Sequence, residues 1–155
     1  MIPSYVPGAP IWTSKEALDG YADQLLDGHK RGFEYTYGER LRAYQGNVDQ
    51  LQYIVNTIKK DRYSRRAVAT LREIEDMGRV DTPCMINVQA LFDGRLNLFA
   101  HFRSHDIKAW PVNCYGLAKL LTYVCNKTLL YPGRLCVMSS NLHGYQEDWG
   151  WMEKI

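Results

Sequence analysis

Cys84 follows a proline in the run Asp81-Thr82-Pro83-Cys84-Met85-Ile86-Asn87-Val88-Gln89. There the backbone must leave any helix and enter an extended segment. Further on, Phe102-Arg103-Ser104-His105-Asp106 sets a cation, a hydroxyl, an imidazole and a carboxylate in succession at the end of an apolar stretch. Asp93-Gly94 lies between the two segments and is a strong hairpin signal. Pairing across that turn brings the segment near Arg103 back alongside the segment near Cys84. A guanidinium next to a thiol favours the thiolate, the nucleophilic form, so the pattern predicts an activated cysteine.

Taken singly, each of these residues has a plainer role. A cysteine after a proline is usually structural, as is a lone histidine at a strand end, and Asn113 at the head of a helix reads as a cap. Their density argues for a site: Cys84, Arg103, Ser104, His105, Asp106, Asn113, His143 and Tyr145 all fall at predicted strand or helix ends, which line ligand crevices in sheet proteins. The chain has no Gly-rich phosphate loop, and its histidines lack the short spacings of a helical metal site. A cysteine-protease reading needs a histidine base and an oxyanion hole that the sequence does not place.

The elements that must hold these residues follow from periodicity. Residues 1–12 are rich in proline and glycine and read as an irregular arm. Thr13 with Glu16 forms a capping-box pattern ahead of Leu18, Tyr21, Ala22, Leu25 and Leu26, which recur at helical spacing until Gly28–Gly32. Tyr35, Tyr37 and Gly38 read locally as aromatic packing on a turn. Asn47 with Gln50 suggests a second cap, followed by an amphipathic helix through Leu51, Ile54, Val55 and Ile58. The basic run Lys59 to Arg66 behind it reads locally as a solvated surface, with a phosphate clamp as the functional alternative. Residues 67–71 are extended in character, and Leu96, Leu98, Ala100 and Phe102 alternate with polar residues, so one sheet face is buried. Leu117, Leu120, Leu121 and Val124 form a helix face that Tyr131-Pro132-Gly133 interrupts, and Leu135, Val137 and Ser139 suggest a last strand. The prediction is an α+β fold: a mixed β-sheet flanked by helices, in a single domain over residues 1–155, with no internal repeat.

Composition removes several function classes. The 155 residues are 46% apolar, which excludes disorder, and the net charge of +2 is too small to imply nucleic acid or a membrane surface as partner. No apolar run approaches membrane-spanning length, and the start has neither a basic leader nor an apolar signal core, which predicts a cytoplasmic protein. The four cysteines, at 84, 114, 125 and 136, include no Cys-x-x-Cys pair, which argues against disulfides and zinc. Cys114 and Cys125 fall in a helical pattern and Cys136 in a strand, where buried inert thiols are expected.

In order along the chain, these motifs resemble those of the thymidylate synthase family, including its shorter archaeal and viral members. The resemblance spans Tyr37 to Tyr145. Tyr37-Gly38 is similar to the family's Tyr-Gly motif, whose tyrosine helps proton removal from the pyrimidine C5. Ser64-Arg65-Arg66 resembles the paired arginines that reach across the dimer to the nucleotide phosphate, which reverses the local reading of the basic run. Pro83-Cys84, with Gln89 five residues on, looks like the segment carrying the catalytic cysteine. Arg103-Ser104-His105-Asp106 resembles the Arg-Ser-x-Asp phosphate and base motif. Asn113 stands where an asparagine reads the pyrimidine edge, and His143-Gly144-Tyr145 looks like the His-x-Tyr pair on the deoxyribose hydroxyl.

The resemblance implies a thymidylate synthase-like fold, a homodimer with shared sites, dUMP as substrate, and 5,10-methylenetetrahydrofolate or a related reduced pterin as cofactor, with no metal. Cys84, Tyr37, Arg103 and Asp106 are its implied catalytic residues. Arg65, Arg66, Arg103, Ser104, Gln89, Asn113, His143 and Tyr145 are its implied substrate-binding residues. Asparagine rather than aspartate at 113 leans toward uracil. The pattern departs at Met85, where the family's synthases carry histidine, and the link from Arg103 to Asn113 is one residue shorter than in the bacterial pattern. Only 36 residues precede Tyr37, so the family's N-terminal helix, a phosphate-loop arginine and an active-site glutamate have no counterpart, and ten residues follow Tyr145. These departures leave a deoxypyrimidine nucleotide hydroxymethylase, or a catalytically incompetent nucleotide-binding domain, as alternatives.

Overall fold

The computed structural model describes residues 14–153, so the expected arm over residues 1–12 and the Thr13 cap lie outside the described residues. Helix α1 (Lys15–Leu25) starts at Ser14, whose side chain accepts a hydrogen bond from the Ala17 amide, and buries Leu18, Ala22 and Leu25. A second, short helix, α2 (Tyr37–Arg42), stands where the sequence suggested only a turn, capped by Thr36. Gly38 explains the placement. A Cβ there would lie 1.8 Å from the Gln24 carbonyl oxygen and 2.4 Å from that of Asp27, so α2 sits on the end of α1 at a distance only glycine permits.

Helix α3 (Gln50–Lys60) is capped by Asp49, not Asn47: the Asp49 side chain accepts from the Gln52 amide at 2.8 Å. Asn47 belongs to the tight turn that pairs Tyr44 with Val48, while Gln50 is buried and bonds the carbonyls of Arg40 and Thr70 and the Thr70 amide. Arg40, 1% exposed, is enclosed by Glu39, Glu73 and Asp76, the last at 2.8 Å from a 3-10 turn over Ile74–Asp76. A buried guanidinium survives only with such carboxylate company.

The sheet has the order β1 (Val68–Thr70), β2 (Met85–Asp93), β3 (Arg95–Phe102), β5 (Pro132–Ser139). β1 and β3 run antiparallel to β2, and β5 runs parallel to β3, so the sheet is mixed. The long helix α4 (Trp110–Thr128) connects β3 to β5 and ends at Leu129 in the left-handed conformation (φ 58°). Leu117, Leu120, Leu121 and Val124 of α4, with Leu51, Ile54, Val55 and Ile58 of α3, pack on Val88, Ala90, Leu98, Ala100 and Phe102. The predicted α+β architecture, its hairpin and its single buried sheet face are therefore present. On the other face, Val68, Gln89, Phe99 and Cys136 form one row across all four strands, and Val68, Phe99 and nearby Met138 are exposed.

A register shift between Met85 and Asn87 marks a bulge in β2. It resets the pleat so that Met85, Val88 and Ala90 all face the core despite their mixed parity. Beyond β3, a two-stranded parallel ladder joins β4 (His105–Asp106) to β6 (Leu142–His143). The His105 amide donates to the Asn141 carbonyl and the Ile107 amide to that of His143, both at 2.8 Å. A short helix, α5 (Trp149–Met152), closes the described chain, and Met152 lies against Gly144.

Candidate active site

The hairpin sets Met85 opposite Phe102, which places Cys84 opposite Arg103: the Arg103 amide donates to the Cys84 carbonyl at 2.9 Å. The Arg103 side chain then folds over the same loop. Its Nε donates to the Pro83 carbonyl at 3.1 Å, and Nη2 donates to the Thr82 carbonyl and hydroxyl, each at 2.9 Å. Nη2 also lies 3.9 Å from Cys84 Sγ. Both N–H groups of Nη1 have no protein partner among the described residues and remain available to an anion.

Tyr37 approaches from α2. The Met85 amide donates to its hydroxyl oxygen at 3.3 Å, leaving the phenolic proton for another acceptor. Burial, reinforced by Cys84, pushes the Tyr37 pKa up to about 12, so this hydroxyl is protonated at neutral pH. Its ring meets Phe102 edge to face, and the other side of the aromatic group is closed by His105, stacked on Phe102 at 3.9 Å with 9° between planes.

Asn113 is not the cap of α4. It lies in the first turn, its amide bonded to the Ala109 carbonyl, and it is 8% exposed. Its Oδ1 accepts from the Tyr21 hydroxyl, and its Nδ2 lies 3.0 Å from His105 Nε2. The other ring nitrogen of His105 lies 2.8 Å from Ser139 Oγ. Burial lowers the His105 pKa, Asp106 opposes the shift and His143 adds to it.

The β4–β6 ladder carries Asp106 to His143, whose ring meets Tyr145 edge to face at 5.2 Å. His143 Nδ1 is buried without a partner among the described residues. Ser104 is half-buried between β3 and β4, and Asp106 accepts from the Lys108 amide at 3.0 Å. Arg103 to Asp106, Asn113 and His143 to Tyr145 thus converge from strand ends and a helix start.

Arg65, Arg66 and Gln89 do not join this group. Gln89 donates to the Arg65 carbonyl at 3.0 Å, and the Ala90 amide bonds Ala67. Ala90 lies six steps along the strand from Cys84, about 20 Å at about 3.3 Å per residue. Both arginines are exposed, and among the described residues neither guanidinium has a carboxylate partner. They form a second cationic feature at the far end of β2.

Two further side chains belong to the site. Tyr21 reads in the sequence as one more residue of a helical core face, and only its hydroxyl could have hinted at a polar partner. Tyr35 lies near Asp81, Cys84 and Arg103, and burial raises its pKa above the ordinary phenol range. A cavity at Tyr37 is lined also by Tyr21, Gln24, Phe33, Tyr35 and Asp81. Met85, the departure noted in the sequence, turns its side chain into the core and offers the site only its amide. Cys114 and Cys125 have their pKa pushed up to about 11 by burial, which suits inert thiols. Among the described residues no group of three or more His, Cys, Asp or Glu could hold a metal ion, and no helix is long and apolar enough to cross a membrane.

A family model described as "Thymidylate synthase" matches residues 7–154. A relative from Methanococcoides burtonii is 42% identical over 154 residues, and one from Methanosarcina barkeri is 40% identical over 154; each alignment takes in 97% of this chain and 70% of the relative. A third, from Methanothermobacter thermautotrophicus, is 40% identical over 153 residues, covering 97% of this chain and 68% of its own. All three carry the name "Putative thymidylate synthase". With the model matching nearly its whole length, this chain belongs to the thymidylate synthase family.

Proposed function

We propose that the protein methylates C5 of dUMP, and that Cys84 is the nucleophile. The observation that carries this reading is Arg103 Nη2 at 3.9 Å from Cys84 Sγ, with the Tyr37 hydroxyl on the next amide. Sγ adds to C6 of the pyrimidine, and the C5–C6 electron pair moves toward C5 and O4. The free N–H of Asn113 donates to O4 as negative charge gathers there, and its carbonyl accepts from N3–H. Once C5 carries its new carbon, the C5 proton leaves toward the water and hydroxyls that Tyr37 orders. Tyr37 acts as a neutral relay and not as a phenolate, because its pKa is about 12. Loss of the C5 proton leaves its electron pair toward C5 and O4; the one-carbon unit would then part from its carrier as an exocyclic methylene, and a hydride added to that methylene would re-form C5–C6 and expel Sγ.

Arg103 Nη1 and Ser104 hold the phosphate, Asp106 completes the base-side motif, and the unpartnered His143 Nδ1 with Tyr145 holds the deoxyribose hydroxyl. The cavity at Tyr37 suits the family's cofactor: Phe33 and Tyr35 offer faces to a flat heterocycle, and Asp81 offers an acceptor for its N–H groups. When bound, methylenetetrahydrofolate supplies the one-carbon unit and the reducing hydride.

Arg65 and Arg66, about 20 Å along the strand from Cys84, serve the phosphate in a neighbouring subunit. Gln89 supports them by holding the Arg65 carbonyl. The exposed row through Val68 and Phe99 is the sheet face that a second copy covers. The experiment is incubation with C5-tritiated dUMP and methylenetetrahydrofolate. Tritium release with thymidylate as product is expected. A 5-hydroxymethyl product would replace this reading with the hydroxymethylase, and dUMP binding without tritium release would replace it with an incompetent nucleotide-binding domain.

A further inference from the structure

Asn113 is held at both ends of its carboxamide by residues from other parts of the chain. Oδ1 accepts from the Tyr21 hydroxyl on α1, ninety-two positions away, and Nδ2 lies 3.0 Å from His105 Nε2. His105 is itself fixed: 2% exposed, flat on Phe102, with Nδ1 2.8 Å from Ser139 Oγ. Tyr21 is fixed by the contact of α1 with α4. A Cβ on Gly116 would lie 2.8 Å from Tyr21 Cε1 and 2.5 Å from Leu25 Cδ1, so the missing side chain lets the ring settle against α4. Tyr115 pins the same two helices by donating its hydroxyl to Asp19 at 2.6 Å.

A carboxamide carries two N–H donors and two carbonyl lone pairs. Tyr21 and His105 take one of each, which leaves one donor and one acceptor. A uracil edge presents O4, which needs the donor, beside N3–H, which needs the acceptor. A cytosine edge presents the reverse order. An unrestrained amide reads either base by turning 180°, and one held at both ends reads one.

We propose that Tyr21 and His105 are positioning residues that clamp the Asn113 amide in one orientation and so make the site select a uracil-type over a cytosine-type edge. The inference rests on the reading of Asn113 as the residue facing the pyrimidine. Both partners have the state the clamp requires. Burial raises the Tyr21 pKa well above the ordinary phenol value, so its hydroxyl stays a donor, and burial keeps His105 neutral with an acceptor nitrogen available. Tyr21 also lines the cavity read as the cofactor's, so the test omits folate, and the effect of either residue on the bound base then passes through Asn113.

The test is calorimetric binding of dUMP and of dCMP, without folate, to the whole protein and to Tyr21→Phe, His105→Phe and Asn113→Asp. The phenylalanines keep the ring packing and remove the hydrogen bonds. Wild type should prefer dUMP, and Tyr21→Phe and His105→Phe should each cut that preference about tenfold, with dCMP affinity held or raised. Purely structural damage weakens both nucleotides alike and leaves the ratio unchanged, which overturns the clamp. If Asn113→Asp shifts the ratio while Tyr21→Phe and His105→Phe leave it within twofold of wild type, the clamp alone is overturned. If Asn113→Asp also leaves the ratio unchanged, the base-reading role of Asn113 falls, and the clamp with it.

Discussion

Arg103 holds Cys84 from two directions: its backbone amide donates to the Cys84 carbonyl at 2.9 Å, and its Nη2 lies 3.9 Å from Cys84 Sγ. The same guanidinium bonds the carbonyls of Thr82 and Pro83, so one side chain both shapes the loop and sets a positive charge at the sulfur.

A limiting alkylating reagent near neutral pH should therefore label Cys84 before Cys114 and Cys125, whose burial raises their pKa to about 11. Peptide mapping reads the order, and dUMP should protect Cys84. Arg103→Ala should slow the labelling by about tenfold or more, since a hydrogen bond to a charged group is worth about 1.5–3 kcal/mol, and should weaken dUMP binding as well. First labelling of Cys114, Cys125 or Cys136, unaffected by dUMP, would misplace the site.

The arginine pair gives a prediction about assembly. Cys84→Ala and Arg65→Ala protomers, each impaired alone, should regain part of the activity when mixed, because one hybrid site keeps both residues. Sedimentation at micromolar concentration should find a two-fold dimer. A fully active monomer would refute the shared site.

Gly38→Ala should be destabilising, because the oxygens its Cβ meets are backbone carbonyls, of Gln24 in α1 and Asp27 just beyond it, and cannot swing aside. The cost is about 1–3 kcal/mol, or roughly 2–12 °C in Tm for a chain of this size. Gly20→Ala is the control. It is exposed within α1 with nothing within 4 Å of its Cβ, so it should gain about 0.5–1 kcal/mol. Thermal melts separate the two.

His105 should make stability depend on pH. Its folded pKa lies below 6.5, through burial first, with Asp106 opposing and His143 adding a smaller push downward. As pH falls below about 6.5 the unfolded chain takes up a proton that the folded chain refuses, so stability is lost until the folded pKa is reached. Between pH 7.5 and 5, the Tm of wild type should fall further than that of His105→Gln. Parallel Tm profiles would contradict a buried neutral His105.

Part of the candidate site's geometry was legible without a structure, for a local reason. Asp93-Gly94 and the alternation from Leu96 to Phe102 fix the hairpin register and so bring the segment of Arg103 back to that of Cys84, while the bulge between Met85 and Asn87, which the sequence did not show, sets the two residues opposite each other. The α+β class followed from the same periodicities. What only the tertiary structure decided are contacts between segments far apart in the chain. Nothing in the helical period of α1 says that Tyr21 bonds Asn113, because that depends on how closely α1 approaches α4 at Gly116. The burial of Arg40 among Glu39, Glu73 and Asp76 is invisible locally, since a charged residue in a short helix reads as surface until its partners fold around it. The separation of Arg65 and Arg66 from Cys84 likewise follows from strand pairing. Sequence order leaves their distance open, and the extended length of β2 fixes it.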